Sequence, residues 1–144
     1  MEVTSIVNGI IIDHVPAGTA LKVLEYLRID PSKTRLALIM NADSHLYGRK
    51  DIIKIEDESG KDNQCIDLDV LGLVARTATV GIVRDGSIVE KKQPTLPEHV
   101  VNIISCRNPR CVTTTERGIR QRFHLVHSDR QEYRCDYCDE EAKL

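Results

Sequence analysis

Cys106-Arg107-Asn108-Pro109-Arg110-Cys111 and, after 23 intervening residues, Cys135-Asp136-Tyr137-Cys138 are the stretches on which the fold of this chain turns. Two close cysteine pairs in the spacing C-x4-C…C-x2-C place four thiolates where two tight turns can share one tetrahedral ion, with zinc–sulfur bonds of about 2.3 Å. Asn108 and Pro109 suit the sharp reversal that the first pair needs. Four sulfur ligands close the coordination sphere and leave no position for an activated water, so the expected role is one structural Zn2+ held by Cys106, Cys111, Cys135 and Cys138. Two disulfides are the alternative. His124 and His127 lie between the pairs and read as ordinary strand residues, although either could replace a cysteine ligand.

The span around these cysteines, 98–144, needs such a staple. Its main large apolar side chains are Val100, Val101, Ile103, Ile104, Ile119, Phe123, Leu125 and Val126. A piece this small rarely folds on so thin a core. Zinc binding contributes about 10–16 kcal/mol in small structural sites, enough to decide whether such a domain folds at all. The expectation is a small all-β zinc domain over 98–144. Residues 92–98, Lys-Gln-Pro-Thr-Leu-Pro-Glu, read as a linker stiffened by two prolines.

Upstream, residues 1–92 form a second domain that alternates strand and helix patterns. Val3 to Ile12 is β-branched and reads as a strand, punctuated by Pro16 and Gly18. Leu21, Leu24 and Leu27 recur through 17–28 as the apolar stripe of a helix. Arg35–Met40 is a short strand, 41–48 a polar loop, and Asp51–Glu56 the second strand of a hairpin. Ile66, Val70, Leu71, Leu73 and Val74 make a helical stripe within 62–76, despite Gly72. Thr77–Val83 and Ser87–Lys91 flank an Arg-Asp-Gly turn, a hairpin signal. The order β-α-β-β-α-β with one extra strand is the ferredoxin-like split βαβ pattern. The fold class is therefore α+β: a ferredoxin-like βαββαβ domain followed by the zinc domain.

Composition narrows the function. Net charge is −2, against the basic excess expected of a duplex-DNA binder. Seven arginines cluster after the linker, but over 98–144 eight Lys/Arg meet eight Asp/Glu, leaving no basic field. A zinc-ribbon nucleic-acid binder is thus the weaker reading, and a stand-alone small-molecule sensor comes third. No run approaches the roughly 18 apolar residues of a membrane span, and the first residues lack the basic region of a signal peptide. A cytoplasmic chain is expected, where clustered cysteines hold metal more often than disulfides. Cys65 stands alone on the second helix as a small apolar side chain. No G-x-S-x-G, H-E-x-x-H, Walker or G-x-G-x-x-G motif is present.

One weaker constellation remains. Asp13-His14 closes the first strand, Arg49, Lys50 and Lys54 surround the third, and Lys91 and Lys92 end the last. Cations converging on an Asp-His pair could hold a polyphosphate while the carboxylate accepts from ribose hydroxyls. Solvated strand-flanking lysines are the alternative.

With Ile12-Asp13-His14-Val15-Pro16, the GRKDIIKIE run at 48–56, the QPTLPE linker and the two cysteine knuckles in one order, the chain resembles the aspartate carbamoyltransferase regulatory chains from about Val3 to Cys138. The resemblance implies a non-catalytic subunit whose N-terminal allosteric domain binds nucleoside triphosphates, CTP as inhibitor and ATP as activator. It implies a homodimer of regulatory chains and zinc domains that contact the catalytic chain. Two catalytic trimers and three regulatory dimers would form the dodecamer acting at the start of pyrimidine synthesis, with neither nucleic acid nor membrane as partner. Position by position, Asp13 matches a ribose contact, His14 a triphosphate contact, Lys54 a base and ribose contact, and Lys91 a phosphate contact. Lys50 matches a second basic position, and Val3 and Ile6 match pocket-lining residues of the first strand. Thr4, Gly81 and Gly86 stand where the family carries glutamate, asparagine and tyrosine. Asp136 replaces a lysine in the second knuckle, and Asn108 matches a residue facing the catalytic chain.

Overall fold

A computed structural model describes residues 6–56 and 67–143. Val3, Thr4 and Cys65, with the first part of the expected second helix (62–66), lie outside the described residues. The chain divides into two units, Met1–Thr95 and Leu96–Leu144.

In the first unit the central strand, β1, runs over Gly9–Pro16. It starts later than the expected Val3–Ile12 and continues beyond Asp13-His14, because a bulge between Ile12 and Val15 absorbs those two residues. His14 takes φ 58° there, a left-handed conformation uncommon outside glycine. The bulge explains why Ile10, Ile12 and Val15 are all buried although strict alternation would turn Val15 outward.

Helix α1 occupies Ala20–Tyr26, shorter than the expected 17–28. A turn closed by Thr19 N–H on the Pro16 carbonyl precedes it, and Arg28 at φ 58° ends it. Its inward stripe is Ala20, Val23, Leu24 and Leu27, spaced i, i+3, i+4, i+7. Leu21, expected in that stripe, is exposed. Strands β2 (Leu36–Ser44) and β3 (Gly48–Glu56) extend through most of the expected 41–48 loop. A bulge between Ile39 and Ala42, with Asn41 at φ 59°, lets the polar residues stay in register. Helix α2 spans Leu68–Val74, its N-terminus capped by the Asp67 carboxylate, which accepts from Asp69 N–H at 2.9 Å. Strands β4 (Thr79–Arg84) and β5 (Ser87–Lys92) are joined at Asp85-Gly86. Both residues have positive φ, as a two-residue type I′ hairpin turn requires.

The strand order is β2-β3-β1-β4-β5, with every neighbouring pair antiparallel. This is the ferredoxin-like arrangement with β5 added at one edge. Ile10, Ile12, Ile53 and Ile55 are buried, while Ile11, Asp13, Ile52 and Lys54 are half-buried. The sheet thus has one covered face and one more open face.

The second unit holds strands β6 (His99–Val101), β7 (Arg122–His127) and β8 (Glu132–Cys135) in one antiparallel sheet. One helical turn, α3, covers Val112–Thr115. Its core is Val100, Ile104, Phe123 and Tyr133 with three of the cysteines. Tyr133 is the large buried side chain that apolar counting misses, while Val101 and Val126 are exposed. No helix among the described residues is long and apolar enough to cross a membrane.

Candidate functional site

The four knuckle cysteines meet in the second unit. Cys106 follows β6 and donates its N–H to Gln121 Oε1 at 2.9 Å. The turn to Cys111 is held by Asn108, whose Oδ1 accepts from Arg110 N–H at 3.0 Å and whose carbonyl accepts from Cys111 N–H at 3.1 Å. Cys135 ends β8, and its carbonyl accepts from Asp139 N–H at 2.9 Å, with Asp139 at φ 64° closing the second knuckle.

The sulfurs of Cys106 and Cys138 are 3.6 Å apart, those of Cys111 and Cys135 3.7 Å, and all four lie within 4.8 Å of one another. A tetrahedron with bonds of about 2.3 Å has edges of about 3.8 Å, so the cluster is compatible with one zinc ion. The separations are far longer than the roughly 2.05 Å of a disulfide, and all four cysteines are free. Burial pushes the Cys106 thiol up to about 12 and raises Cys135. The Thr113 hydroxyl, donating to Cys111 Sγ at 3.1 Å, brings Cys111 down to about 7. A divalent cation supplies the positive charge under which all four ionise together. His124 points elsewhere, its Nδ1 2.6 Å from Asp136 Oδ1, and neither it nor His127 joins the sulfur cluster.

In the first unit, register brings together residues far apart in the chain. Lys54 on β3 stands opposite Ile11 on β1, Ile11 opposite Gly81 on β4, and Gly81 opposite Lys91 on β5. Period-two alternation sets this row on the more open face. Beside it Asp13, His14, Thr79, Gly81, Ile88 and Lys91 line a cleft of about 110 Å³. His14 Nδ1 lies 3.2 Å from Thr79 Oγ1, and its carbonyl accepts from Thr77 Oγ1 at 2.8 Å. Asp13 Oδ1 accepts from Lys50 Nζ at 3.0 Å and from His14 N–H at 2.6 Å. Asp13, His14, Lys50, Lys54 and Lys91 thus share one region of the sheet. Ile6 is half-buried ahead of β1, and Val3 is outside the described residues.

Other expected cations are engaged differently. Arg49 pairs with Asp43 at 2.8 Å, and Lys92 sits 4.0 Å from Glu90. Thr79 and Ile88 carry no motif, and only their strand partners reveal them. Tyr47 meets His14 edge-on at 6.1 Å and lines a larger hollow of about 390 Å³ with His14, Pro16, Arg49 and Thr77.

Two family models match the chain: "Aspartate carbamoyltransferase regulatory chain, allosteric domain" over residues 1–95, and "Aspartate carbamoyltransferase regulatory chain, metal binding domain" over 98–143. Among similar curated proteins, the aspartate carbamoyltransferase regulatory chain of Bifidobacterium longum (strain NCC 2705) is 78% identical over 144 residues, covering 100% of both chains. That of Clostridium botulinum (strain Hall) is 44% identical over 140 residues, covering 97% of this chain and 92% of its own. The one from Caldivirga maquilingensis is 45% identical over 137 residues, covering 94% and 82%. With an allosteric and a metal-binding domain in that order, the chain belongs to the aspartate carbamoyltransferase regulatory chains, non-catalytic subunits of that enzyme.

Proposed function

We propose that residues 1–92 bind nucleoside triphosphate effectors of the CTP and ATP type, and that residues 98–144 dock on the catalytic chain. The observation that carries the first half is the convergence of Asp13, His14 and Lys91 on one cleft, with Lys54 in the same cross-strand row. A cleft of about 110 Å³ is smaller than a typical ligand pocket, so the ligand extends along the open row toward Lys54. His14 and Lys91 take the phosphates, Asp13 and Lys54 the ribose and base side, and Lys50 holds Asp13 in place. Val3 and Ile6 complete the apolar wall.

The four-cysteine cluster supports the second half. Cys106, Cys111, Cys135 and Cys138 ligate one structural Zn2+ that shapes both knuckles for association with the catalytic chain. Regulatory chains pair as homodimers, and three such dimers join two catalytic trimers in a cytoplasmic dodecamer. The nucleotide signal thereby controls pyrimidine biosynthesis. An effector acts only through differential affinity for two quaternary states, and a coupling of about 1–3 kcal/mol is ordinary for such systems.

Isothermal titration of the intact chain with CTP and ATP tests the site: binding that Lys91→Ala weakens is expected, and no binding overturns it. Size-exclusion chromatography with the catalytic chain, before and after chelation, tests the interface. A complex that survives full loss of zinc overturns the docking role.

A further inference from the structure

The chain that leaves β5 is fastened to α2 before it reaches the second unit. Thr95 N–H donates to the Leu68 carbonyl at 3.3 Å, and its hydroxyl donates to the Asp69 carboxylate. Its own carbonyl rests against Gly72 so closely that a Cβ on that glycine would lie 1.8 Å from the Thr95 oxygen. Real Cβ atoms do not approach backbone oxygen so closely, and the obstacle is main chain rather than a movable side-chain tip. Gly72 has no left-handed backbone to justify it and weakens a helix interior by about 1 kcal/mol relative to alanine. Its role at this position is to admit the linker.

On the far side the chain is caught again at once. The Tyr133 hydroxyl donates to the Pro97 carbonyl, and Leu125 N–H donates to the Glu98 carbonyl at 2.8 Å. Between the two attachments only Leu96 is left. Pro97 has a fixed φ and confines the preceding residue to extended conformations. The covalent connection from Thr95 to Pro97 therefore has few soft torsions.

The other end of α2 leads to the proposed effector cleft. The turn closed by Ala78 N–H on the Ala75 carbonyl connects it to Thr77 and Thr79. These are the residues bonded to the His14 carbonyl and ring.

We propose that Thr95, clasped on α2 at Gly72, makes α2 the element that carries the state of the effector cleft to the second unit, with Gly72 and Thr95 as positioning residues for that coupling. The inference rests on the regulatory reading above. It adds a continuous physical route: His14, the Thr77–Thr79 segment, α2, Thr95 and the one-residue joint at Leu96.

The test uses the assembly reconstituted with the catalytic chain, its activity measured against aspartate with and without CTP or ATP. Gly72→Ala should leave the dissociation constants of both nucleotides within about twofold of wild type, while the nucleotide-induced change in half-saturating aspartate falls by more than half. Hydrogen exchange at the Thr95 amide should quicken. Thr95→Val, which removes only the bond to Asp69, should weaken the response in the same direction, and it decides the matter if Gly72→Ala fails to fold. A full response in these variants, or a response lost in step with nucleotide binding, overturns the clasp. A wild-type assembly that neither nucleotide shifts overturns the regulatory reading itself, and the clasp with it.

Discussion

Lys54 on β3 and Lys91 on β5 stand in one row of the sheet, separated only by Ile11 and Gly81 on the two strands between them. Three strand spacings put their backbones about 14 Å apart. Side chains on one face of a sheet stand roughly perpendicular to it and so keep that spacing, and the two lysines should act on different parts of a ligand. Lys91→Ala should weaken a nucleoside triphosphate about tenfold or more but leave the corresponding nucleoside nearly unaffected, the loss being that of a charge-assisted hydrogen bond. Lys54→Ala should weaken both alike. Titrating each variant with CTP and with cytidine separates the two roles. Equal losses on both ligands for Lys91→Ala would contradict the assignment.

Asp51 should be the most sensitive polar residue of the first unit. It is fully buried on β3, and its carboxylate accepts from Gly18 N–H at 2.8 Å, Ala20 N–H at 3.0 Å and Asn41 N–H at 2.8 Å. One side chain thus caps α1, which has no side-chain cap of its own, and ties down the β2 bulge. Asp51→Ala leaves three donors without that acceptor, each costing about 1–3 kcal/mol. Denaturant unfolding followed by circular dichroism should show a loss of at least about 3 kcal/mol, with the zinc content of the protein unchanged.

Metal removal should act on the other unit. Stripping the ion from the cysteine cluster withdraws about 10 kcal/mol or more of folding free energy. The β6-β7-β8 sheet should then lose protection from hydrogen exchange while β1–β5 keep theirs. Because burial holds the Cys106 proton up to about 12 and raises Cys135, zinc uptake near neutrality must displace protons. Apparent affinity should therefore fall on acidification, by at least about tenfold per pH unit. Competition with a chromophoric chelator across that range measures it. A flat profile would exclude thiolate ligation.

Tyr133→Phe removes the hydroxyl bond to the Pro97 carbonyl and leaves the buried ring in place. The second unit should lose about 1 kcal/mol, the ordinary net worth of one hydrogen bond. The Leu125 amide, which donates to the neighbouring Glu98 carbonyl, should exchange faster, and chelator-resistant zinc should remain. An unchanged midpoint in thermal unfolding would show that the bond contributes nothing.

Local chemistry in this chain was legible without coordinates. C-x4-C and C-x2-C bring sulfurs together through turns of a few residues, so Cys106, Cys111, Cys135 and Cys138 needed no knowledge of what lay between them. Asp85-Gly86 announced its hairpin for the same reason, since positive φ at two successive residues is a local demand. The alternation of strands and helices was equally visible, and it implied the ferredoxin-like order. Where polar residues sat inside strands the reading failed: the loop assigned to 41–48 and the strand end at Ile12 both concealed bulges, which spoil the two-residue period. Tertiary structure alone decided that Lys54, Ile11, Gly81 and Lys91 form one row, that Thr79 faces His14, and that Asp51 turns inward to cap a helix more than thirty residues upstream. Those relationships depend on register between strands distant in sequence, and a shift of one residue would send every one of these side chains to the opposite face.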